Sequence, residues 1–100
     1  MFVHFVLFWM NRGATPAQQE QLIADAKTFL GKIPSVRTLH VGKPNMTPRP
    51  VVDNTYDVGL CVMLDDSAGH DVYQEHPLHK EFIERNKQNW QRVLIYDFNH

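Results

Sequence analysis

Six histidines in one hundred residues are a high count for the side chain that titrates near neutrality. Their positions separate them. His100 is the last residue and reads as a frayed end, while His40 and His70 fall where surface residues are expected. His4, His76 and His79 are the candidates for chemistry, and the stretch Tyr73-Gln-Glu-His76-Pro77-Leu-His79 is the most informative in the chain. Pro77 disfavours a helical conformation at His76 and suits the first turn of a new segment, so a helix should break or restart there. Beyond it, His79, Phe82, Ile83 and Asn86 recur at i, i+3, i+4 and i+7, the spacing of one helix face. That face must lie on a sheet, so His79 is expected to be largely buried and neutral. A neutral imidazole can take a proton. Tyr73, one turn before the break, can supply a phenol, and His4 is expected to meet His79 from the first strand. The competing reading makes these residues a hydrogen-bonded core with no catalytic part.

Other chemistries find less support. His76, His79 and Glu75 have metal-ligand side chains, but Pro77 interrupts their face. No HExxH or cysteine-rich spacing is present either, so no dedicated metal site is expected. There is no glycine-rich phosphate loop, no GxSxG and no redox-cofactor motif, and nothing around Cys61 marks a nucleophile. No cofactor is expected.

These side chains need a scaffold. A hydrophobic share of 43% with 11% aromatic residues is too rich for disorder, and 100 residues make one domain, 1–100. Ten basic against eleven acidic residues leave a net charge of −1, which gives no field to gather nucleic acid or anionic lipid. Cys61 is the only cysteine, so no internal disulfide forms and a reducing, cytoplasmic setting is favoured. Met1 to Met10 is too short to span a bilayer and lacks a basic start. It reads as a strand.

Both parities of that strand are apolar: Phe2, Val6, Phe8 and Met10 on one, Val3, Phe5, Leu7 and Trp9 on the other. Alternate residues face opposite sides of a sheet, so both faces should leave water. Thr15-Pro16-Ala17-Gln18 then supplies an N-cap, a proline at the first helical position and a capping-box glutamine. Leu22, Ile23, Ala26, Phe29, Leu30 and Ile33 continue at helical spacing, and Gly31 and Pro34 mark the end. A second strand is expected over Ser35–Lys43, nearer an edge. A long loop follows over Pro44–Thr55, where three prolines exclude a helix or central strand. Strand three is expected over Tyr56–Leu64, a broken helix over Ser67–Asn89, and the last strand over Arg92–Phe98.

The order β-α-β-β-α-β is that of a ferredoxin-like α+β protomer, with a four-stranded antiparallel sheet and two helices on one face. Those helices cannot cover the other face. Phe5, Leu7 and Trp9 would lie there as an apolar patch that a monomer rarely tolerates. A two-fold homodimer through the open sheet face is the expected solution.

Five features together are familiar. They are His4 in the first strand, the Ile33-Pro34-Ser35-Val36 corner, Tyr56-Asp57-Val58-Gly59-Leu60, Tyr73-x-x-His76-Pro77-x-His79, and Arg92-Val-Leu-Ile-Tyr-Asp97-Phe98. Over essentially its whole length the chain resembles the stress-responsive dimeric α/β-barrel (Dabb) family. That resemblance implies a protomer whose sheet meets its twin's to form a barrel. Many members have no assigned activity, and some plant members are stress-linked proteins. One plant member is a polyketide cyclase whose catalytic His and Tyr match His79 and Tyr73, with His4 and Trp90 matching pocket residues. Ala26 stands where that cyclase has a pocket tyrosine, so its substrate does not carry over. The expectation is a cofactor-free lyase or cyclase acting on a small carbonyl compound. His79 would be the base, Tyr73 and His4 its partners, and Val6, Phe8, Leu60 and Trp90 the apolar walls. The alternative is a non-catalytic dimeric stress-response or ligand-binding protein, and fold alone does not choose between them.

Overall fold

The computed structural model describes all of residues 1–100. Strand β1 (Phe2–Met10) leads into helix α1 (Pro16–Phe29), extended by one 3₁₀ turn. Strands β2 (Val36–Gly42) and β3 (Val58–Leu64) follow, then helices α2 (Ser67–Glu75) and α3 (Pro77–Asn86), and strand β4 (Trp90–Asn99) closes the chain. The sheet is wholly antiparallel in the order β2-β3-β1-β4. This is the ferredoxin-like arrangement, with the second helical stretch divided in two.

Local signals place the helices. Thr15 accepts from the Gln18 backbone N–H and Gln18 returns a bond to the Thr15 N–H, so the capping box forms in full. At the other end of the fold the chain is extended at His76 (φ −65°, ψ 139°), as the following proline requires. His76 accepts a hydrogen bond at Nδ1 from the Leu78 N–H, at 3.1 Å, and so serves as the N-cap of α3. Its imidazole satisfies one of the donors that every helix start leaves free.

Strand β1 is central, paired with β3 on one side and β4 on the other. Its His4, Val6, Phe8 and Met10 face the helices, and with Leu22, Ala26, Leu30, Ile33, Tyr73, Phe82 and the alternate residues Val58, Leu60, Val62 and Leu64 of β3 they make the core. Asp25 of α1 is buried there, held by Arg85 at 2.8 Å and Asn86 at 3.0 Å, which ties α1 to α3.

The opposite sheet face is bare. Phe5, Tyr96 and Phe98 are 37%, 58% and 54% exposed. Trp9 departs from the expectation that it would lie open with Phe5. It is only 8% exposed, because the 43–57 loop folds back over this end of the sheet. The Trp9 indole N–H donates to Thr55 Oγ1 at 3.0 Å, and the Arg92 guanidinium sits 4.3 Å from its ring centre. Asp57 clamps the same loop, accepting from the Met10 N–H at 2.7 Å and donating its own N–H to the Phe8 carbonyl. Leu7 is half-buried.

The His76 cap sets a measurable expectation. His76→Ala should lower stability by ~0.5–2 kcal/mol, and His76→Asn should restore most of it, since asparagine caps well. Equal losses for both substitutions in chemical denaturation would show that the ring contributes by contacts other than the cap.

Candidate functional site

A cavity of about 170 Å³ opens between α2, α3 and the β1–β4 side of the sheet. Val6 and Phe8 from β1, Leu60 from β3, Phe82 and Ile83 from α3 and Trp90, Val93 and Ile95 from β4 make its walls. The polar lining is His4, Tyr73, Gln74 and His79. All seven residues singled out in the sequence, namely His4, Val6, Phe8, Leu60, Tyr73, His79 and Trp90, border this one space.

The helix break brings the two main groups together. In one continuous helix, residues six apart lie about 120° apart around the axis and look in different directions. Across the extended His76, Tyr73 and His79 instead meet edge to face, with ring centres 4.8 Å apart at 71°. Tyr73 is 1% exposed, whereas His79 is half-buried rather than largely buried as expected. Neither the phenol nor the imidazole hydrogen-bonds to another protein group. Burial alone drives the Tyr73 phenol far above its ordinary range, so it stays protonated and can only donate toward an anion. Desolvation pushes the His79 imidazole down to about 4, helped by repulsion from His4 and His70 and opposed by Glu75. His79 is therefore neutral at pH 7.

His4 is 3% exposed on the cavity floor, 5.7 Å from the Tyr73 ring. Its Nδ1 lies 2.6 Å from Asp97 Oδ1. The carboxylate accepts from Nδ1–H and so fixes the orientation of the His4 ring. Asp97 stands directly opposite His4 across the β1–β4 ladder. It was visible in the sequence only as part of the Arg92-to-Phe98 segment. Alternation puts it on some face, but only the register shows that this is the face of His4.

His70 corrects the surface assignment. It is half-buried, stacked on Phe2 at 4.5 Å and 4.8 Å from the His4 ring, and desolvation lowers its pKa. His40 is exposed, as expected. His76 is occupied with its cap, and Glu75 pairs with Lys80 at the surface. The grouping with metal-ligand potential is not His76 with His79. It is His4, His70 and Asp97, whose donor atoms all lie within 4.8 Å of one another.

Fold and cavity together define a ferredoxin-like domain with an apolar chamber, walled by sheet and helices, that holds unpaired imidazole and phenol groups. The model of the Stress Responsive A/B Barrel Domain (Dabb) family matches residues 2–100, and the chain belongs to that family. No curated protein matches it significantly. Among solved structures, a dimeric ferredoxin-like protein of unknown function from Thermobifida fusca is 24% identical, with a TM-score of 0.84 over 99% of this chain and 90% of that one. A Dabb protein from Mesorhizobium loti is 23% identical, with a TM-score of 0.80 over 99% and 95%. The hydroxynitrile lyase of Passiflora edulis is 14% identical, with a TM-score of 0.80 over 97% and 90%. At these identities the likeness establishes the fold.

The lowered pKa of His79 has a consequence for stability. Between the ordinary value near 6.5 and the folded value of about 4, the unfolded chain binds more protons at this site than the folded one. Stability due to His79 is thus complete above about 6.5 and is lost as pH falls toward 4. Denaturation at successive pH values should show a shallower decline through this window for His79→Gln than for the unmutated chain. Titration of the His79 ring by NMR should give a midpoint near 4, and a midpoint near 6.5 would show a solvated ring.

Proposed function

We propose that the cavity takes a small, mostly apolar carbonyl compound and that His79 acts on it as a general base, giving lyase or cyclase chemistry. The observation that supports this most is a pair of unpartnered polar groups, the Tyr73 phenol and the His79 imidazole, facing one apolar chamber. A ligand able to hydrogen-bond both would be held in one orientation between apolar walls. The volume limits the guest. A cavity of ~150 Å³ holds benzene, so about 170 Å³ suits one ring or a short branched chain bearing a carbonyl.

The reaction follows from the protonation states. The His79 nitrogen takes the proton α to the carbonyl, and the electron pair left behind shifts onto the oxygen. The Tyr73 phenol donates a hydrogen bond to that oxygen as it gains charge. His4, held by Asp97, presents Nε2 to a substrate donor. The enolate carbon then adds to a second carbonyl carbon of the substrate, whose C=O π bond breaks, and the alkoxide so formed takes the proton back from His79. The same base can instead take the proton of a hydroxyl: the C=O bond forms as the bond from that carbon to its leaving group, cyanide or an enolate carbon, breaks with the pair on the leaving group, which then takes the proton from His79. The Passiflora edulis structure, a hydroxynitrile lyase by name, is an instance of a lyase on this fold. A pKa of about 4 makes a weak base at rest, but anionic charge building on the substrate raises it at the moment of transfer.

We propose also that the protein is a homodimer through the sheet face bearing Phe5, Tyr96 and Phe98. That face is apolar and uncovered, and the Thermobifida fusca structure is of a dimeric protein.

Two experiments test these readings. Exchange of α-protons in D₂O, followed by NMR over small aromatic and aliphatic carbonyl compounds, and cleavage of an aromatic cyanohydrin should detect turnover. His79→Ala should reduce it by ~10²–10⁴-fold at little cost in stability, and Tyr73→Phe should reduce it while substrate still binds. Turnover unchanged by His79→Ala, or none across the set together with a large stability loss in the variant, would favour the structural core. For assembly, sedimentation should give a dimer at micromolar concentration and Tyr96→Glu should weaken it with the helices intact. A monomeric unmutated chain would overturn the interface.

A further inference from the structure

We propose that His4, His70 and Asp97 form a binding site for a divalent first-row transition ion such as Zn²⁺, at the end of the cavity farthest along β1 from Trp90. Two imidazoles and one carboxylate, drawn from β1, α2 and β4, have donor atoms that all lie within 4.8 Å of one another. Sequence spacing gives no hint of this set, because its members are 27 or more residues apart. It forms only where the β1–β4 register places Asp97 opposite His4 and the first turn of α2 lowers His70 over both.

The donor chemistry selects the ion. An imidazole-rich set suits zinc, copper, iron and nickel, whereas magnesium and calcium want oxygen ligands throughout. Such ions sit ~2.0–2.2 Å from nitrogen and oxygen donors in a tetrahedron, which puts neighbouring donors ~3.3–3.6 Å apart. The His4–Asp97 contact of 2.6 Å now encloses a proton. Replacing that proton by the ion widens the His4–Asp97 pair by ~0.7–1 Å, and the His70 donor, within 4.8 Å of both, moves in to complete the set. Metal binding of this kind releases protons from its ligands.

The surroundings favour the exchange. His4 is buried, His70 half-buried and the Asp97 side chain 38% exposed, so the cluster grades from the interior to water and has an entry path. Phe2 stacks on His70 and restrains the ring plane. The Gln74 amide lies 3.0 Å from His70 Nε2. Turned end for end, the amide would accept from Nε2–H and leave Nδ1 to the ion, which is how outer-shell groups orient ligating histidines. Three protein ligands leave at least one coordination position open. Because His4 also lines the cavity, an ion here couples to whatever occupies that space.

Binding is read without any substrate, so it stands or falls apart from the catalytic proposal. Zn²⁺ should titrate into the untagged protein by calorimetry at pH 7 with one site per protomer. Co²⁺ in its place should give visible absorption bands of a nitrogen- and oxygen-ligated ion. His70→Ala and Asp97→Asn should each weaken Zn²⁺ by at least about tenfold, while His40→Ala and His76→Ala change it less than about twofold. In the unmutated protein, the ring nitrogens of His4 and His70 should shift in ¹⁵N NMR on adding Zn²⁺, and those of His40 should not. This arm holds even if a variant folds poorly. No stoichiometric binding, or binding and shifts that follow other histidines, would overturn the site.

Discussion

The proline at position 77 is the constraint on which the rest of the site depends. It forces His76 out of the helical region, and the helical stretch that would otherwise run on is split into two segments that meet at an angle. Without the break, Tyr73 and His79 would project about 120° apart around one axis. With it, they converge on one chamber at 4.8 Å. The break also costs hydrogen bonds at a new helix start, and the His76 ring offsets one of them by capping α3. The Tyr-x-x-His-Pro-x-His segment therefore holds two separate functions: His76 and Pro77 shape the backbone, and Tyr73 and His79 face the cavity.

Strand β1 is the second organising element. Central position in the sheet supplies both edges with partners, and the period of two divides its side chains between two environments. His4, Val6 and Phe8 serve the cavity, and Phe5 lies on the bare face. A one-residue slip of β1 against β4 would exchange these sets and separate His4 from Asp97. The clamp of Asp57 on Met10 and Phe8, with Trp9 held by Thr55 and Arg92, pins the far end of the strand. The loop is long, but its last residues are tied closely to the sheet.

Electrostatically the site is a set of imidazoles in a mainly apolar wall. His4 and His70 each help to keep His79 neutral, and His4 does the same for His70. Asp97 is the one carboxylate in direct contact with this set, and its partial exposure leaves one end of the cluster open to solvent. The Tyr73–His79 pair lies at one end of this set and the His4–Asp97 contact at the other.

Much of this was legible in the chain. Alternation in Phe2 to Met10 identified a strand apolar on both faces, the capping box placed α1, and the spacing after Pro77 turned His79 and Phe82 to one side. Those are local rules, in which a residue's neighbours in sequence are its neighbours in space. The helix face and strand parity together were enough to put His4, Tyr73, His79, Val6, Phe8 and Leu60 on one side of the sheet. What local rules lack is register. Asp97 lies 93 residues from His4, and no spacing shows that the two strands align them. His70 seemed a surface residue because α2 was read apart from the Phe2 and His4 rings on which it rests. Trp9 seemed exposed because strand parity cannot show a loop folding back from position 55 to cover an indole. The sequence by itself determined the elements and which side chains of one element share a face, because those depend on periodicity and turn chemistry. The tertiary structure alone decided which distant side chains touch, because that depends on strand register and on loops that close over long separations.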